Sequence, residues 1–347
     1  DKEYKEVNTY YRDLENLPAD KLIELALNME KEAKSLDSRV VSFQGCRIGY
    51  NNSKYGIINS KGLNLENKSN LLTAYVIPII KENDNMHDGF GYVTAKSLDE
   101  VDPKKLAIDG INDAVSRIGG KSIPSGKYKT IINNEAMVSI LSTFAGVFSG
   151  DAAQKGLSLL KDKEGEIIAS KNVTLVDNPH LENGLASVSF DDEGVATIRK
   201  DIISEGKLVT LLHNLKTAYK GNTKSTGNGF KSSYASPVGV SPTNFYIQEG
   251  VKSFEELLEE VGEGLLITEF AGLHSGANSI TGDFSLAAKG FYIKDGKKDF
   301  PVEQITVAGN FFDLLKNIIE IGSDLKFPMS SVGSPSIIVE GLSIAGK

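Results

Sequence analysis

The apolar residues of this chain change period at Arg39, and that change constrains the fold more than any other feature. Over residues 16–36 they recur at helical spacing (Leu22, Ile23, Ala26, Met29, Ala33) behind Pro18, which predicts an amphipathic helix. From Arg39 the period is two. Val41, Phe43, Ile48 and Tyr50, then Tyr55, Ile57 and Ile58, then residues 71–80 read as successive strands separated by Asn, Gly and Ser. Residues 89–95 add a short strand. Pro103 opens a second helix with Leu106, Ile108, Ile111, Ala114, Val115 and Ile118 apolar. Gly119-Gly120 closes it, because glycine readily takes the left-handed conformation of a helix end.

The Gly- and Pro-bearing stretch 119–127 marks a boundary, dividing the chain into domains 1–125 and 126–347; 347 residues is long enough for two. Past it, 128–132 reads as a strand and 135–148 as a strongly apolar helix. Residues 173–176, 186–190, 196–203 and 208–212 read as meander strands, with turns at Asp192-Glu193-Gly194 and Glu205-Gly206-Lys207. The final third mixes strands (265–270, 290–294, 336–340) with helices near 254–260 and 311–319. The fold class expected is α+β: an N-terminal helix–sheet unit, then a larger β-rich domain of curved antiparallel sheets.

Asp and Glu number 46 against 38 Lys and Arg, a net charge of −8. With basic residues clustering no further than pairs, nucleic acid is not an expected partner. No apolar run approaches the ~20 residues of a membrane span, and the polar opening Asp-Lys-Glu-Tyr-Lys-Glu is not a signal peptide. Cys46 is the only cysteine. It excludes an internal disulfide and any multi-cysteine metal site, reads as a small buried hydrophobe, and fits a reducing, cytoplasmic setting.

Generic catalytic templates are missing. The histidines His87, His180, His213 and His274 are widely separated, with no H-E-x-x-H pair. His87 and His180 read as turn residues, and His213 as a strand end or helix start. There is no G-x-S-x-G, and Ser-x-x-Lys at 158–161, 204–207 and 323–326 lacks its companion motifs. No phosphate-binding loop occurs. Asp191-Asp192-Glu193 lacks the calcium-loop spacing and reads as a hairpin turn. His274, within Gly272-Leu273-His274-Ser275-Gly276, lies in a flexible stretch and is a candidate for a binding loop.

From about Asn178 onward the sequence resembles the PmbA/TldE branch of the TldD/PmbA peptidase family. The resemblance is carried by NPHLENGLASVSFDDEGVATIRKDIISEGKL (178–208), KSTGNG (224–229), GEGLLITEFAGLHSGANSITGDFSLAAKGFYIKDGK (262–297), FPVEQITVAGNFFDLLKNIIEIGSDL (300–325) and GLSIAGK (341–347). Relative to that family, an N-terminal α/β segment is expected to be missing, in keeping with the non-Met start. The resemblance also implies that TldD-like subunits hold zinc through H-E-x-x-x-H on a helix and a cysteine near the C-terminus. The matching positions here are Asn134, Glu135 and Ser139, and residues 327–335 contain no cysteine. An amide and a hydroxyl do not replace imidazoles for zinc, and without the ion no hydroxide forms near neutral pH. Glu135 then reads as a first-turn carboxylate on the helix dipole. The expectation is a chain with no catalytic residue and no cofactor of its own. Zinc would sit in a TldD-like partner, the assembly would be a heterodimer with that partner or a homodimer, and the substrate would be unfolded peptide. Two alternatives stay open: a stand-alone hydrolase with an atypical site at His274, Asp283 and Glu135, or a homodimeric peptide-binding scaffold.

Overall fold

Pro18 holds an extended backbone (ψ 129°), and α1 (Ala19–Leu36) starts directly behind it, so the helix is shorter at its N-terminus than its apolar pattern suggests. This computed structural model describes residues 3–347. It divides into Asn8–Gly120 and a larger unit of Lys121–Lys347 joined by the residues up to Val7. In the smaller unit, β1 (Val40–Ile58) and β2 (Asn64–Glu82) form one antiparallel hairpin running from Val40↔Ile80 to Ile58↔Asn64. Strands β3 (Asn85–Asp88) and β4 (Gly91–Ala95) both pair with β2, and α2 (Pro103–Ser116) follows. Leu72, Ala74 and Val76 alternate onto the buried face and pack with Met29 of α1 and Leu106 of α2. Asp102 caps α2 by accepting from the amides of Lys104 and Lys105. Gly91 lets this helix lie directly on the sheet: a Cβ there would stand 2.0 Å from the Leu106 carbonyl oxygen.

The larger unit opens with β5 (Gly126–Lys127), β6 (Thr130–Ile132), α3 (Asn134–Phe144) and α4 (Gly150–Gln154). Next come β7 (Leu175–Asp177), β8 (Lys200–Ser204), β9 (Lys207–Leu208), α5 (Leu215–Lys220), β10 (Gly229–Phe230), β11 (Gly239–Val240) and β12 (Phe245–Ile247). The remainder is α6 (Phe254–Val261), β13 (Gly264–Ala271), α7 (Leu273–Gly276), β14 (Asp283–Lys294), β15 (Lys297–Asn310), α8 (Phe311–Lys316), β16 (Ile318–Ile321), β17 (Val332–Gly333), β18 (Ile337–Val339) and β19 (Ser343–Ala345). An eight-stranded sheet has the order β16-β18-β6-β13-β14-β15-β19-β5, and a five-stranded sheet the order β17-β12-β7-β8-β9. Pairing is antiparallel except between β6 and β13 and between β12 and β17. Helix α3 lies in the core shared by the two sheets. Its Met137, Ile140, Leu141 and Phe144 pack with Phe245 and Leu175 of one and Ile267 and Leu286 of the other. Phe144 stacks on Phe311 at 4.7 Å between centroids. The architecture is the α+β arrangement expected, a helix–sheet unit followed by a sheet-rich part.

Several elements depart from the sequence reading. Ile23 stays exposed on α1. Residues 41–58 lie in one strand, because the exposed polar run Asn51–Lys54 keeps its ladder with Leu71–Lys68. His87 lies in β3, opposite Ile80. The expected helix 135–148 is α3 followed by a tighter 3-10 turn, Ala145–Phe148, and the one near 311–319 gives way to β16. The strands expected over 186–190 and 208–212 shrink to a single bridge, Phe190↔Ala196, and to β9. Side chains take over as backbone partners in the first of these segments and the turn after it: Asn244 accepts from the Ala186 amide, and Asp191 from the amides of Glu193 and Val195.

Candidate functional site

Three strand ends bring the site together. Helix α3 leaves the end of β6, with Asn133 as its cap: the Asn133 side chain accepts from the Ala136 amide at 2.8 Å. Strand β18 runs antiparallel to both β6 and β16, so Ser336, just before β18, and Asp324, just after β16, arrive at the first turn of α3. Asp324 Oδ1 accepts from the Ser336 amide (2.8 Å), and Oδ2 accepts from Ser336 Oγ (2.7 Å) and Asn134 Nδ2 (3.2 Å). Asn134 Nδ2 also donates to the Asp324 carbonyl oxygen, Asn134 Oδ1 accepts from the Glu135 amide, and the Asn134 amide donates to Ser336 Oγ. Glu135 Oε1 accepts from Lys326 Nζ at 2.6 Å. One turn on, Ser139 Oγ donates to the Ala136 carbonyl oxygen at 2.7 Å.

These residues do not fit a zinc ion. The donors offered by Asn134, Glu135 and Ser139 are an amide, a carboxylate and a hydroxyl, each engaged in a protein hydrogen bond, and the Lys326 ammonium lies on the Glu135 carboxylate. Among the described residues no group of three or more His, Cys, Asp or Glu side chains is placed to hold a metal. Glu135 has the first-turn position its helix reading implies, and its carboxylate pairs with Lys326.

The other candidates are placed as follows. His274 is exposed on the single turn of α7, which packs near α3. Asp283, at the start of β14, accepts from Thr281 Oγ1 (2.8 Å) and Asn310 Nδ2 (2.9 Å); these bonds hold its pKa below the usual carboxylate range, Asn310 contributing most. Asp283 lines an open depression of about 650 Å³ with residues 275–280, Phe284 and Ser285, and His274 stands outside that lining. His213 is buried and its Nδ1 meets Thr217 Oγ1 at 3.2 Å; burial lowers its pKa. His180 Nε2 meets Thr197 Oγ1 at 3.2 Å; burial, then Lys5 and Lys200, lower its pKa. Cys46 is half-buried, its thiol donating to the Ala26 carbonyl oxygen, and burial raises its pKa.

Sequence reasoning missed a buried polar cluster. Lys200 Nζ lies 2.8 Å from Asp177 Oδ2 and 3.0 Å from Asn228 Oδ1. Asn228 Nδ2 donates to Asp177 Oδ2, while the amide and hydroxyl of Thr243 donate to Asp177 Oδ1. Burial lowers the Lys200 pKa, opposed by Asp177. Every polar atom named has a partner, so the cluster pins β7, β8 and the 224–229 segment together. Its only signal was the polar KSTGNG stretch with no helix after it.

The class of protein follows from comparison with known families. Residues 12–118 match the PmbA/TldA metallopeptidase central domain, and residues 125–346 match its C-terminal domain. Over 332 residues the chain is 32% identical to metalloprotease PmbA of Escherichia coli O157:H7, covering 94% of this chain and 70% of that protein. It superposes on a Thermotoga maritima protein described as a modulator of DNA gyrase with a TM-score of 0.93 at 38% identity, covering 99% of this chain and 78% of that one. TldE from Thermococcus kodakarensis shares the fold, with a TM-score of 0.90 at 24% identity over 99% of this chain and 78% of that one. The chain belongs to the PmbA/TldA metallopeptidase family.

Proposed function

We propose that this chain is a non-catalytic, PmbA/TldE-like subunit of a zinc peptidase assembly that matures and degrades unfolded peptides in the cytoplasm. The zinc would be supplied by a TldD-like partner. The observation that carries this reading is the state of the first turn of α3, where Asn134 is bonded to Asp324 and Ser336 and Glu135 is paired with Lys326. A zinc-activated water needs open coordination and a free general base, and neither is offered here. Among the described residues no helix is long and apolar enough to cross a membrane, and the net charge of −8 favours peptide over nucleic acid as the ligand.

Mixing the purified chain with a TldD-like zinc subunit and following hydrolysis of an unfolded peptide tests the proposal. The expected result is no hydrolysis by this chain alone, a stable complex, and altered cleavage by the zinc subunit. Failure to bind, or binding that leaves cleavage unchanged, contradicts it. Chelator-sensitive hydrolysis by the chain alone would instead favour the stand-alone hydrolase.

A further inference from the structure

Missing donors alone would leave the turn neutral toward cations, but the geometry goes further. We infer that Lys326 occupies the electrostatic place of a divalent cation, so that this centre repels metal ions even when donors are restored. The inference rests on reading α3 as the counterpart of a zinc-binding helix. Lys326 Nζ is 2.6 Å from Glu135 Oε1, and the two side chains are 46% and 39% exposed.

The backbone at position 326 is held on both sides, which aims its side chain at Glu135. The Lys326 amide donates to the Ser334 carbonyl oxygen (3.1 Å), and the Ser334 amide donates back (3.2 Å). Phe327 packs against Gly333 and edge-on against Tyr246, with ring centroids 5.5 Å apart. Two residues before Lys326, Asp324 is fixed by Ser336 and Asn134. Residues 324–336 therefore return the ammonium to the carboxylate that a metal-bound water would otherwise face. A divalent ion drawn to the Glu135 carboxylate meets the ammonium already paired with it, and after solvent screening the repulsion is worth about tenfold in affinity.

The test restores donors and then varies only the charge. In Asn134→His/Ser139→His, position 326 is kept as Lys, or changed to Arg, Gln or Ala. Each folded variant, checked by thermal melting, is titrated with Zn²⁺ by calorimetry and with Co²⁺ by its visible absorption. The Gln and Ala forms are expected to bind about tenfold more tightly than the Lys and Arg forms. Equal affinity across the four, or no binding by folded Gln and Ala forms, overturns the inference. Stoichiometric zinc on the unaltered chain would instead sink the proposed function, which keeps the two failures apart.

Discussion

Lys200 and Asp177 are the residues whose removal should be felt most. Lys200→Met leaves the Asp177 carboxylate in a site where its atoms are fully buried, and breaking a buried pair costs about 3–5 kcal/mol. Urea denaturation should show that loss. His213 gives a pH signature. Its folded pKa is lowered by burial from an ordinary 6.5, so the unfolded chain takes up the proton first as pH falls. The stability contribution is present above about pH 6.5 and lost progressively below it, at up to about 1.4 kcal/mol per pH unit. Comparing urea midpoints from pH 7.5 to pH 5, His213→Gln should have a flatter slope than the unaltered chain; an equal slope would refute the assignment. The absence of histidine and cysteine at the expected donor positions was legible from residue types alone. Lys326 was not, because 191 positions separate it from Glu135 and only the β16–β18–β6 pairing brings the two together.

At the scale of elements, propensity and turn chemistry located most helices, whereas strand limits were set by tertiary partners. α2 and α6 start at strong side-chain caps, Asp102 and the Ser253–Glu256 capping box. The join at residues 51–54 of β1 and residues 64–70 of β2 escaped notice because they are mostly polar and show no apolar alternation. Residues 186–198 failed in the opposite sense, their alternation being real while Asn244 and Asp191 hold the backbone out of a ladder. Two substitutions probe the elements carrying the site. Asn133→Ala removes the α3 cap and should cost about 1 kcal/mol, read as a lower melting temperature. Gly290→Ala places a Cβ 1.8 Å from the Leu266 carbonyl oxygen. Forcing β13 and β14 apart should cost about 1–3 kcal/mol or more, read from the same melts; a neutral result would mean that strand contact is not close.

For the whole molecule, the decisive question is whether metal and scaffold reside in the same chain. The fold class and family were readable from the second half of the sequence, where the family segments fall in order. The state of the α3 turn was only half readable, since sequence gives the residue types at 134, 135 and 139 and structure shows how they are bonded. Elemental analysis answers the question most directly. The purified chain, equilibrated with buffered zinc and desalted, is predicted to carry far less than one zinc per molecule, and its complex with a TldD-like subunit no more zinc than that subunit brings. One tightly bound zinc per molecule of this chain, lost on substituting Glu135, would contradict it.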